Sequence, residues 1–374
     1  MGERFNTRAS VVAHALARSL TRRAGAGRPI RRVLIAHNLL LGDTMMLTPL
    51  VAKVRAALPQ AEVDLLAAPA FVPLYAGRPY GVRALPFTPS RAATTRALLA
   101  GSPYDLAFVV GDNRYSWLAA ALGARRIVAH AGGTARANWF VDEAHPYAST
   151  PAAWGDMVAE LLDGDEPAPY ARGDWPDPLA APFERPTGPY AVLHVGASTP
   201  LKQWLPARWN ALAQALAADG LEVVWSAGRG EESLVQACDP TGAFASYAGR
   251  LDLPQLWYLL RGATLLVAPD TGVAHLGRVT WTPTVTLLGP GSRVLVGPGR
   301  FWRDTPWIGV DEDPFPCRDQ TILFGRHVAW VRRCGRSVAE CSEPRCMHAI
   351  SVDAALAATR KARALRHPVL GPVR

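Results

Sequence analysis

The stretch TLLVAPDTGVAHLGRV, at positions 264–279, decides the fold. An apolar run typical of a buried strand ends at Asp270 and passes directly into a segment with helical spacing. Asp270, Thr271 and Gly272 therefore place backbone amides and a hydroxyl at a helix start, which is a place where phosphate binds. His275 follows about one turn later, within reach of a phosphate oxygen or a ribose. An ordinary helix with Asp270 as its N-cap would show the same pattern.

The alternation of strand and helix extends to both sides of this stretch. The series of strands and helices that contains this stretch begins with YAVLHVG at position 190. An earlier series begins with RVLIAH at position 32. Strand and helix repeats of this kind predict parallel sheets. We therefore expect an α/β protein with two Rossmann-like parallel-sheet domains that face one another across a cleft.

Between the two series, seven prolines prevent regular structure. The predicted organisation is a basic N-terminal arm (1–30), a first domain (31–165), a Pro-rich linker (166–189), a second domain (190–352) with a Cys-rich segment (317–346), and a C-terminal helix with its tail (353–374). The last helix, SVDAALAATRKARALR, fits against either domain on sequence grounds.

The charge balance indicates an anionic partner. Lys and Arg number 40 against 31 Asp and Glu, a net charge of +9, and only Lys53, Lys202 and Lys361 are lysines. Nucleic acid, an anionic membrane face and a phosphorylated substrate all attract such a surface. The aromatic residues do not alternate with arginine as in a stacking platform, and no nucleic-acid-binding motif is present, so nucleic acid is set aside. No apolar run reaches the roughly 18 to 20 residues that a spanning helix needs.

The N-terminal arm has the pattern of a basic amphipathic helix. The apolar and basic residues that share this pattern are Val12, Leu16 and Leu20 with Arg8, Arg18, Arg22 and Arg23. Such a helix can lie on an anionic membrane leaflet. A disordered or loosely docked arm fits the sequence equally, whereas the short apolar stretch, interrupted by His14, is unlike a signal peptide.

A second candidate site follows the strand YAVLHVG. The segment GASTPLKQW offers the Ser198 and Thr199 hydroxyls and then Lys202, one of the few lysines of the chain. A compact ammonium group suits a phosphate leaving group that gains negative charge as a bond breaks. A solvated loop lysine is the alternative.

Two carboxylates complete the candidate set. Asp43 follows the first strand of the first domain, in HNLLLGDTMM, where it can act as a general base or cap the next helix. Glu231 follows LEVVWSAG, a position from which an acidic residue can accept ribose hydroxyls. A turn with glycines followed by Glu is common, so Glu231 is the weaker candidate.

Four of the five cysteines fall within the segment 317–346. Cys317, Cys334, Cys341 and Cys346 are separated by 16, 6 and 4 residues, and Cys238 stands apart. Clustered thiols are compatible with a structural zinc or iron site, with reduced thiols, or with disulfides. The spacing matches no common zinc finger.

Three motifs, in order, resemble family 9 glycosyltransferases, the bacterial ADP-heptose:lipopolysaccharide heptosyltransferase group with the GT-B architecture. They are RRVLIAHNLLLGDTMMLTPLVAKVRAALPQAEVDLL (31–66), YAVLHVGASTPLKQWLPARWNALAQAL (190–216) and VAPDTGVAHLGRV (267–279). The resemblance implies that residues 31–165 bind the acceptor and residues 190–352 bind the donor. It implies Asp43 as the base and Lys202 as a catalytic group. Its implied donor contacts are Ser198, Thr199, Trp204, Glu231, Asp270, Thr271, Gly272 and His275.

The resemblance further implies an inverting, metal-independent transferase with no catalytic cofactor. The expected donor is ADP-heptose, and the expected acceptor is a hydroxyl of lipopolysaccharide core or a related envelope glycan. The protein would then act in the cytoplasm, including the cytoplasmic face of the inner membrane. Another nucleotide sugar, a protein acceptor and a nucleotide-sugar epimerase are the alternatives. The order GRGEES around Glu231 and the cysteine spacing depart from the family pattern.

Overall fold

The computed structural model describes residues 2–20 and 28–365, and these form two compact units. The first unit comprises the described residues up to Ala168, together with Asp174–Leu179 and Ile322–Trp330. The second comprises Pro169–Gly173, Ala180–Thr321 and the described residues from Val331 onward. The chain therefore enters the first unit three times, which the sequence pattern did not indicate.

The helices and strands of the first unit before residue 168 follow in chain order. They are α1 (Gly2–Ser19), β1 (Arg32–Ala36), α2 (Leu41–Met45), α3 (Thr48–Ala57), β2 (Glu62–Ala67), β3 (Val82–Pro86), α4 (Ala92–Leu99), β4 (Leu106–Val109), α5 (Ser116–Ala121), β5 (Arg126–His130), β6 (Glu143–His145) and α6 (Trp154–Ala159). The sheet has the order β3-β2-β1-β4-β5-β6, and all its neighbours are parallel.

The N-terminal helix α1 docks on the first unit. Ala15 is fully buried in a cluster that includes Leu118 and Ala119 of α5, and Val11 packs against the same cluster. Leu16 and Leu20 point away from it and are 47% and 89% exposed. The residues expected to form the apolar face are thus not the ones that dock. Of the predicted basic residues, Arg22 and Arg23 lie outside the described residues.

The second unit repeats the architecture of the first. Its elements are β7 (Tyr190–His194), α7 (Pro206–Ala218), β8 (Glu222–Ser226), α8 (Glu232–Cys238), β9 (Ala245–Ser246), α9 (Leu253–Gly262), β10 (Leu265–Pro269), α10 (Gly272–Val279), β11 (Thr284–Leu287), α11 (Arg293–Val296) and β12 (Trp307–Val310). The sheet order, β12-β11-β10-β7-β8-β9, is that of the first unit. In both sheets the order reverses between the first and fourth strands, which is where open α/β sheets bind ligands.

The remaining elements are β13 (Ile322–Leu323), β14 (Arg326–His327), α12 (Arg345–Ala349) and α13 (Val352–Ala364). The antiparallel pair β13-β14 belongs to the first unit, although its neighbours along the chain belong to the second. Helix α13 belongs to the second unit, because Ala355, Ala358 and Ala362 pack in the core with Leu193 and Val267. This resolves the choice that the sequence left open for the last helix.

No helix or strand forms between α6 and β7, in agreement with the run of prolines there. This stretch is divided between the two units. The Trp175 indole donates to the Leu74 carbonyl at 2.9 Å in the first unit. The Tyr170 hydroxyl donates to the Val279 carbonyl at 2.7 Å in the second. In the described part of the chain, no helix is both long and apolar enough to span a membrane.

Helix α10 lies close to the sheet because Gly277 has no side chain. A Cβ at this position would lie 2.5 Å from Leu266 Cδ2 and 2.6 Å from Thr284 Oγ1. We predict that Gly277→Ala lowers the free energy of unfolding by about 1–3 kcal/mol, the usual cost of overpacking. Urea denaturation checks this, with Gly188→Ala as control, since no described heavy atom lies within 4 Å of a Cβ there. Equal stability of the two variants would contradict the packing argument.

Candidate functional site

The candidate site of the second unit lies where β7 and β10 end. These two parallel strands are neighbours, so their carboxyl ends lie at the same edge of the sheet. The loop after β7 carries Ser198, Thr199 and Lys202, and the turn after β10 carries Asp270 and Thr271. The two candidate motifs, about 70 residues apart in sequence, therefore meet at the point where the strand order reverses.

Lys202 and Asp270 make the contact that joins the two motifs. Lys202 Nζ donates to the Asp270 carboxylate at 3.0 Å and to the Asp270 carbonyl at 2.6 Å. Burial is the largest single influence and acts to raise the pKa of Asp270, but the charge and hydrogen bond of Lys202, together with His275 and Arg333, outweigh it and the pKa is lowered. Asp270 is therefore ionised, and it holds the ammonium group at the end of the sheet.

The start of α10 has unpaired polar groups. Its N-cap is Thr271, whose side chain makes no capping bond, so Asp270 is not the N-cap. Among the described residues, the buried Thr271 Oγ1 has no hydrogen-bond partner. The first amides of a helix also lack intrahelical acceptors. A hydroxyl and a helix N-terminus beside Lys202 form a site suited to an anion.

His275 lies one turn into α10, on the side of Asp270. Its Nε2 is 4.0 Å from Asp270 Oδ1, too far for a hydrogen bond. Burial and the nearby Arg278 lower the pKa of His275 to about 3. The imidazole is therefore neutral at pH 7 and acts as a hydrogen-bonding group rather than a cation.

Glu231 connects two loops at this edge of the sheet. One carboxylate oxygen accepts from the Ala197 amide at 3.1 Å, in the loop after β7. The other accepts from the Gly228 amide at 2.8 Å, in the loop after β8. Each oxygen thus accepts one bond within the protein and can accept a second, so the ribose contact expected for Glu231 stays a prediction. Nothing in the sequence around Glu231, three residues after Gly228, indicated that its carboxylate would connect the loops after β7 and β8.

In the loop after β7, Ser198 lies at the surface, whereas Thr199 makes a local hydrogen bond. Ser198 is exposed, while the Thr199 hydroxyl accepts from the Leu201 amide at 3.4 Å and caps a short 3-10 turn, Pro200–Lys202. That turn aims Lys202 back toward β10.

Trp204 does not have the expected position. Its ring is buried, packs edge-on against Trp209 at 5.2 Å, and donates from Nε1 to the Ile350 carbonyl at 2.9 Å. The large apolar ring is used in the core of the second unit, where it anchors the segment before α13. The donor contact predicted for Trp204 is therefore corrected to a structural role.

A histidine lies at the end of the first strand in each unit. The one in the first unit, His37, was not singled out from the sequence. His37 directly follows β1, and its Nδ1 accepts from the Leu39 amide at 3.1 Å. Nε2 therefore carries the proton of the neutral ring, and this buried N–H has no partner among the described residues. Burial lowers the pKa of His37 to about 3. Its place after a strand, matching His194, was the available signal.

Asp43 lies in the same loop region of the first unit. It is half-buried in the first turn of α2, whose N-cap is Leu40, so Asp43 is not the capping residue. The positive end of the helix favours a carboxylate at this position. Asp43 thus lies after β1 as Lys202 lies after β7, each at the ligand-binding edge of its own sheet.

The comparisons with known proteins agree with this arrangement. The family described as glycosyltransferase family 9 (heptosyltransferase) matches residues 91–324, more than half of the chain. The chain belongs to this glycosyltransferase family. It is therefore an enzyme of sugar transfer, and its two six-stranded parallel sheets are those of the GT-B fold.

Individual relatives are distant in sequence but cover most of the chain. Lipopolysaccharide heptosyltransferase 1 of Pseudomonas aeruginosa is 26% identical over 318 residues, 78% of this chain and 88% of that protein. The structure of E. coli ADP-heptose lipopolysaccharide heptosyltransferase II covers 90% of this chain and 99% of its own, with 17% identity and a TM-score of 0.65. At this identity the second likeness shows the fold alone.

A further structural relative is described as the iron-containing dodecameric glycosyltransferase TibC of enterotoxigenic E. coli. It is 15% identical, covers 90% of this chain and 77% of its own, and has a TM-score of 0.55. In this chain, residues 2–20 and 28–365 contain no group of three or more His, Cys, Asp or Glu that could hold a metal ion.

Three of the four clustered cysteines, Cys317, Cys334 and Cys346, lie near one another, close enough to interact electrostatically. All five are reduced. The Cys317 thiol contacts that of Cys334, the Cys341 thiol lies 3.4 Å from the Glu343 carbonyl, and Cys346 is buried beside Met347. The expected four-thiolate site is nevertheless not found, since the described residues contain no group of three or more His, Cys, Asp or Glu that could hold a metal ion. This arrangement matches the alternative of reduced, unlinked thiols.

Buried His194 predicts a pH dependence of stability. Its Nδ1 lies 3.1 Å from Ser226 Oγ, and burial lowers its pKa to about 4. The unfolded chain, with a histidine pKa near 6.5, takes up a proton that the folded chain does not, so stability falls as pH drops below about 6.5. We predict that His194→Gln reduces the slope of unfolding free energy against pH by up to about 1.4 kcal/mol per unit.

Urea denaturation between about pH 4.5 and 6 measures these slopes. His14→Gln, which removes an exposed imidazole from α1, is the control and should keep the parental slope. A parental slope in the His194 variant would show that its burial does not contribute to acid sensitivity.

Proposed function

We propose that the protein transfers heptose, with inversion, from ADP-heptose to a hydroxyl of lipopolysaccharide core or a related envelope glycan. The heptosyltransferases among its relatives support the sugar and the acceptor class. The observation that carries the proposal is the contact of Lys202 with Asp270 beside the open start of α10. It forms an anion site at the reversal point of the donor-side sheet.

The donor diphosphate would bind across this site. Lys202 has one ammonium hydrogen beyond the two that it gives to Asp270, and the amides at Thr271 and Gly272 point out of the helix start. As the bond between sugar and phosphate breaks, negative charge grows on the departing ADP. Positive charge and dipoles fixed in advance stabilise that charge. The neutral His275 would serve as an additional hydrogen-bond donor.

The acceptor would bind in the first unit, with Asp43 as the general base. Inversion requires an acceptor oxygen to attack the anomeric carbon from the face opposite the leaving group, and to lose its proton as it does so. A carboxylate at the end of β1 can receive that proton. The buried His37 N–H, which has no partner in the described chain, would bind an acceptor or sugar oxygen.

These roles require no divalent metal and no catalytic cofactor. Lys202 and the helix start supply the positive charge that a metal ion supplies to the diphosphate in other transferases. We accordingly assign residues 31–165 to acceptor binding and residues 190–352, apart from the Ile322–Trp330 segment of the first unit, to donor binding. The carboxylate of Glu231 then contributes by fixing the loops around the donor.

We further propose that the enzyme works at the cytoplasmic face of the inner membrane, where a lipid-linked acceptor is accessible. The exposed Leu16 and Leu20 lie near the end of α1, and Arg8 is exposed on the same helix. Apolar side chains next to arginine bind the surface of an anionic bilayer. Helix α1 would thus be attached to the first unit by one side and to lipid by the other.

The functional proposal predicts different effects for its two catalytic residues. Asp43→Asn should lower kcat about 10²–10⁴-fold, since the acceptor keeps its proton. It should leave the Kd for ADP unchanged, because Asp43 does not lie in the donor-side unit. Lys202→Ala should raise the Kd for ADP about tenfold or more, as loss of a charged hydrogen bond does. ADP release from ADP-heptose with heptose-deficient lipopolysaccharide, and calorimetry with ADP, measure the two quantities.

Lys361→Ala is the matched control, since this exposed lysine lies in α13. It should keep parental kcat and Kd. No turnover of ADP-heptose by the wild-type protein would refute the heptose assignment. An Asp43→Asn variant with parental kcat would refute Asp43 as the base.

The membrane proposal predicts flotation with anionic vesicles. Wild-type protein should float with phosphatidylglycerol-containing liposomes, and less so at high salt, because charge contributes to the attraction. Replacing both Leu16 and Leu20 by Ser should abolish flotation. Leu179→Ser, at a position 87% exposed elsewhere on the first unit, should retain it. Equal flotation of all variants would exclude α1 as the contact.

A further inference from the structure

The hairpin β13-β14 is the part of the chain that the sequence pattern and the proposed mechanism leave unexplained. It lies between Cys317 and Cys334, within a long irregular segment that otherwise belongs to the second unit. A backbone bridge between Gln320 and Arg333 closes its base. Its turn and strands nevertheless pack on the first unit. Because this segment packs on a different unit from its neighbours in sequence, specific contacts must anchor it there.

That anchor is Arg326, whose guanidinium is buried. It donates to three carbonyls at the carboxyl ends of β4 and β5: Gly111 at 2.7 Å, Ala131 at 2.8 Å and His130 at 3.4 Å. It also donates to Asn113 Oδ1 and, within the hairpin, to the Phe324 carbonyl at 2.8 Å. All the N–H groups of an arginine are then used, so Arg326 fixes the hairpin and has no donor left for a ligand.

Phe324 is placed by this anchor against the loop that leads to Asp43. Its backbone is left-handed, with φ of 47°, and its ring lies 4.9 Å from that of Trp154. A Cβ at Gly111 would lie 3.4 Å from Phe324 Cδ1 and 3.0 Å from Leu39 Cδ2. Phe324 and Leu39 therefore meet at Gly111. Leu39 belongs to the loop between β1 and α2.

This position is the crevice of the first sheet. β1 and β4 are the neighbours at which the strand order reverses, so a ligand of this unit is expected beyond their ends. At the ends of β1 and β5, two buried ring nitrogens have no partner among the described residues, namely the His37 Nε2 and the His130 Nδ1. His130 is bonded through Nε2 to the Met157 carbonyl at 3.3 Å, so its Nδ1 is an acceptor. A donor and an acceptor of this kind suit sugar hydroxyls.

We propose that the hairpin of residues 322–327, held by Arg326, forms one wall of the acceptor crevice and determines acceptor affinity through Phe324. The inference rests on the proposed function in that the ligand of the crevice is taken to be the acceptor glycan. An apolar ring at the crevice edge packs against the carbon face of a sugar, while the polar groups beneath receive its hydroxyls. Arg326 is a positioning residue, since it touches only protein.

The test is binding of heptose-deficient lipopolysaccharide core, freed of its acyl chains, measured by calorimetry on the full chain without donor. Arg326→Gln releases the hairpin, and Phe324→Ala removes the ring while leaving the anchor intact. We expect each to raise the Kd for the core about tenfold or more. Arg332→Gln, an exposed arginine just outside the hairpin, is the matched control and should bind as the wild type does. The Kd for ADP should stay unchanged in all three.

Hydrogen exchange of residues 111–113 reports hairpin release, with faster exchange expected in Arg326→Gln. Parental affinity for the core in Phe324→Ala, or in Arg326→Gln with the hairpin released, would overturn the proposal, as would a wild-type protein that does not bind the core. Turnover with ADP-heptose is measured separately. Core binding that depends on the hairpin without heptose transfer would refute the proposed function and retain the hairpin inference.

Discussion

The contact of Lys202 with the Asp270 carboxylate and carbonyl is the interaction on which the second unit depends as a binding domain. It fixes the loop after β7 against the end of β10, and it keeps a positive charge beside an unfilled helix start. Neither partner suits the position alone, because a buried carboxylate or ammonium without its counter-charge is costly. The pair therefore balances both charges within the protein, and it leaves one ammonium hydrogen of Lys202 for the donor diphosphate that we propose to bind there.

In both units, the last carbonyls at the carboxyl edge of the parallel sheet lack strand partners. Buried arginines supply donors there. Arg326 bonds to the ends of β4 and β5 in the first unit, and Arg318 donates to the Leu288 and Gly289 carbonyls after β11 in the second. The planar guanidinium reaches several carbonyls at once, which a lysine cannot do. The edge of each sheet is thus fixed in part and left open in part, and the open part is where ligand groups bind.

Much of this could be predicted from sequence, because strand and helix periodicity is local. The strands β1, β7 and β10 were each indicated by a short apolar run. Grouping of Lys202 with Asp270 followed from the rule that parallel strands share a ligand-binding edge. What escaped prediction depends on contacts distant in sequence. The family resemblance implied a ligand contact for Trp204, whereas its bond to the Ile350 carbonyl, 146 residues away, has no local signal. The docking of residues 322–330 on the first unit likewise depends on Arg326 meeting carbonyls some 200 residues away. Cys317, Cys334 and Cys346 lie near one another in space as well as in sequence, but their spacing alone did not indicate whether the thiols form a metal site.

The central claim is that the Lys202–Asp270 pair and the start of α10 hold the donor diphosphate. A crystal structure of the protein with ADP-heptose tests it most directly. We predict phosphate oxygens within hydrogen-bond distance of Lys202 Nζ and of the amides of Thr271 and Gly272, with the Thr271 hydroxyl now partnered. A diphosphate bound elsewhere, with Lys202 and Thr271 untouched, would contradict it.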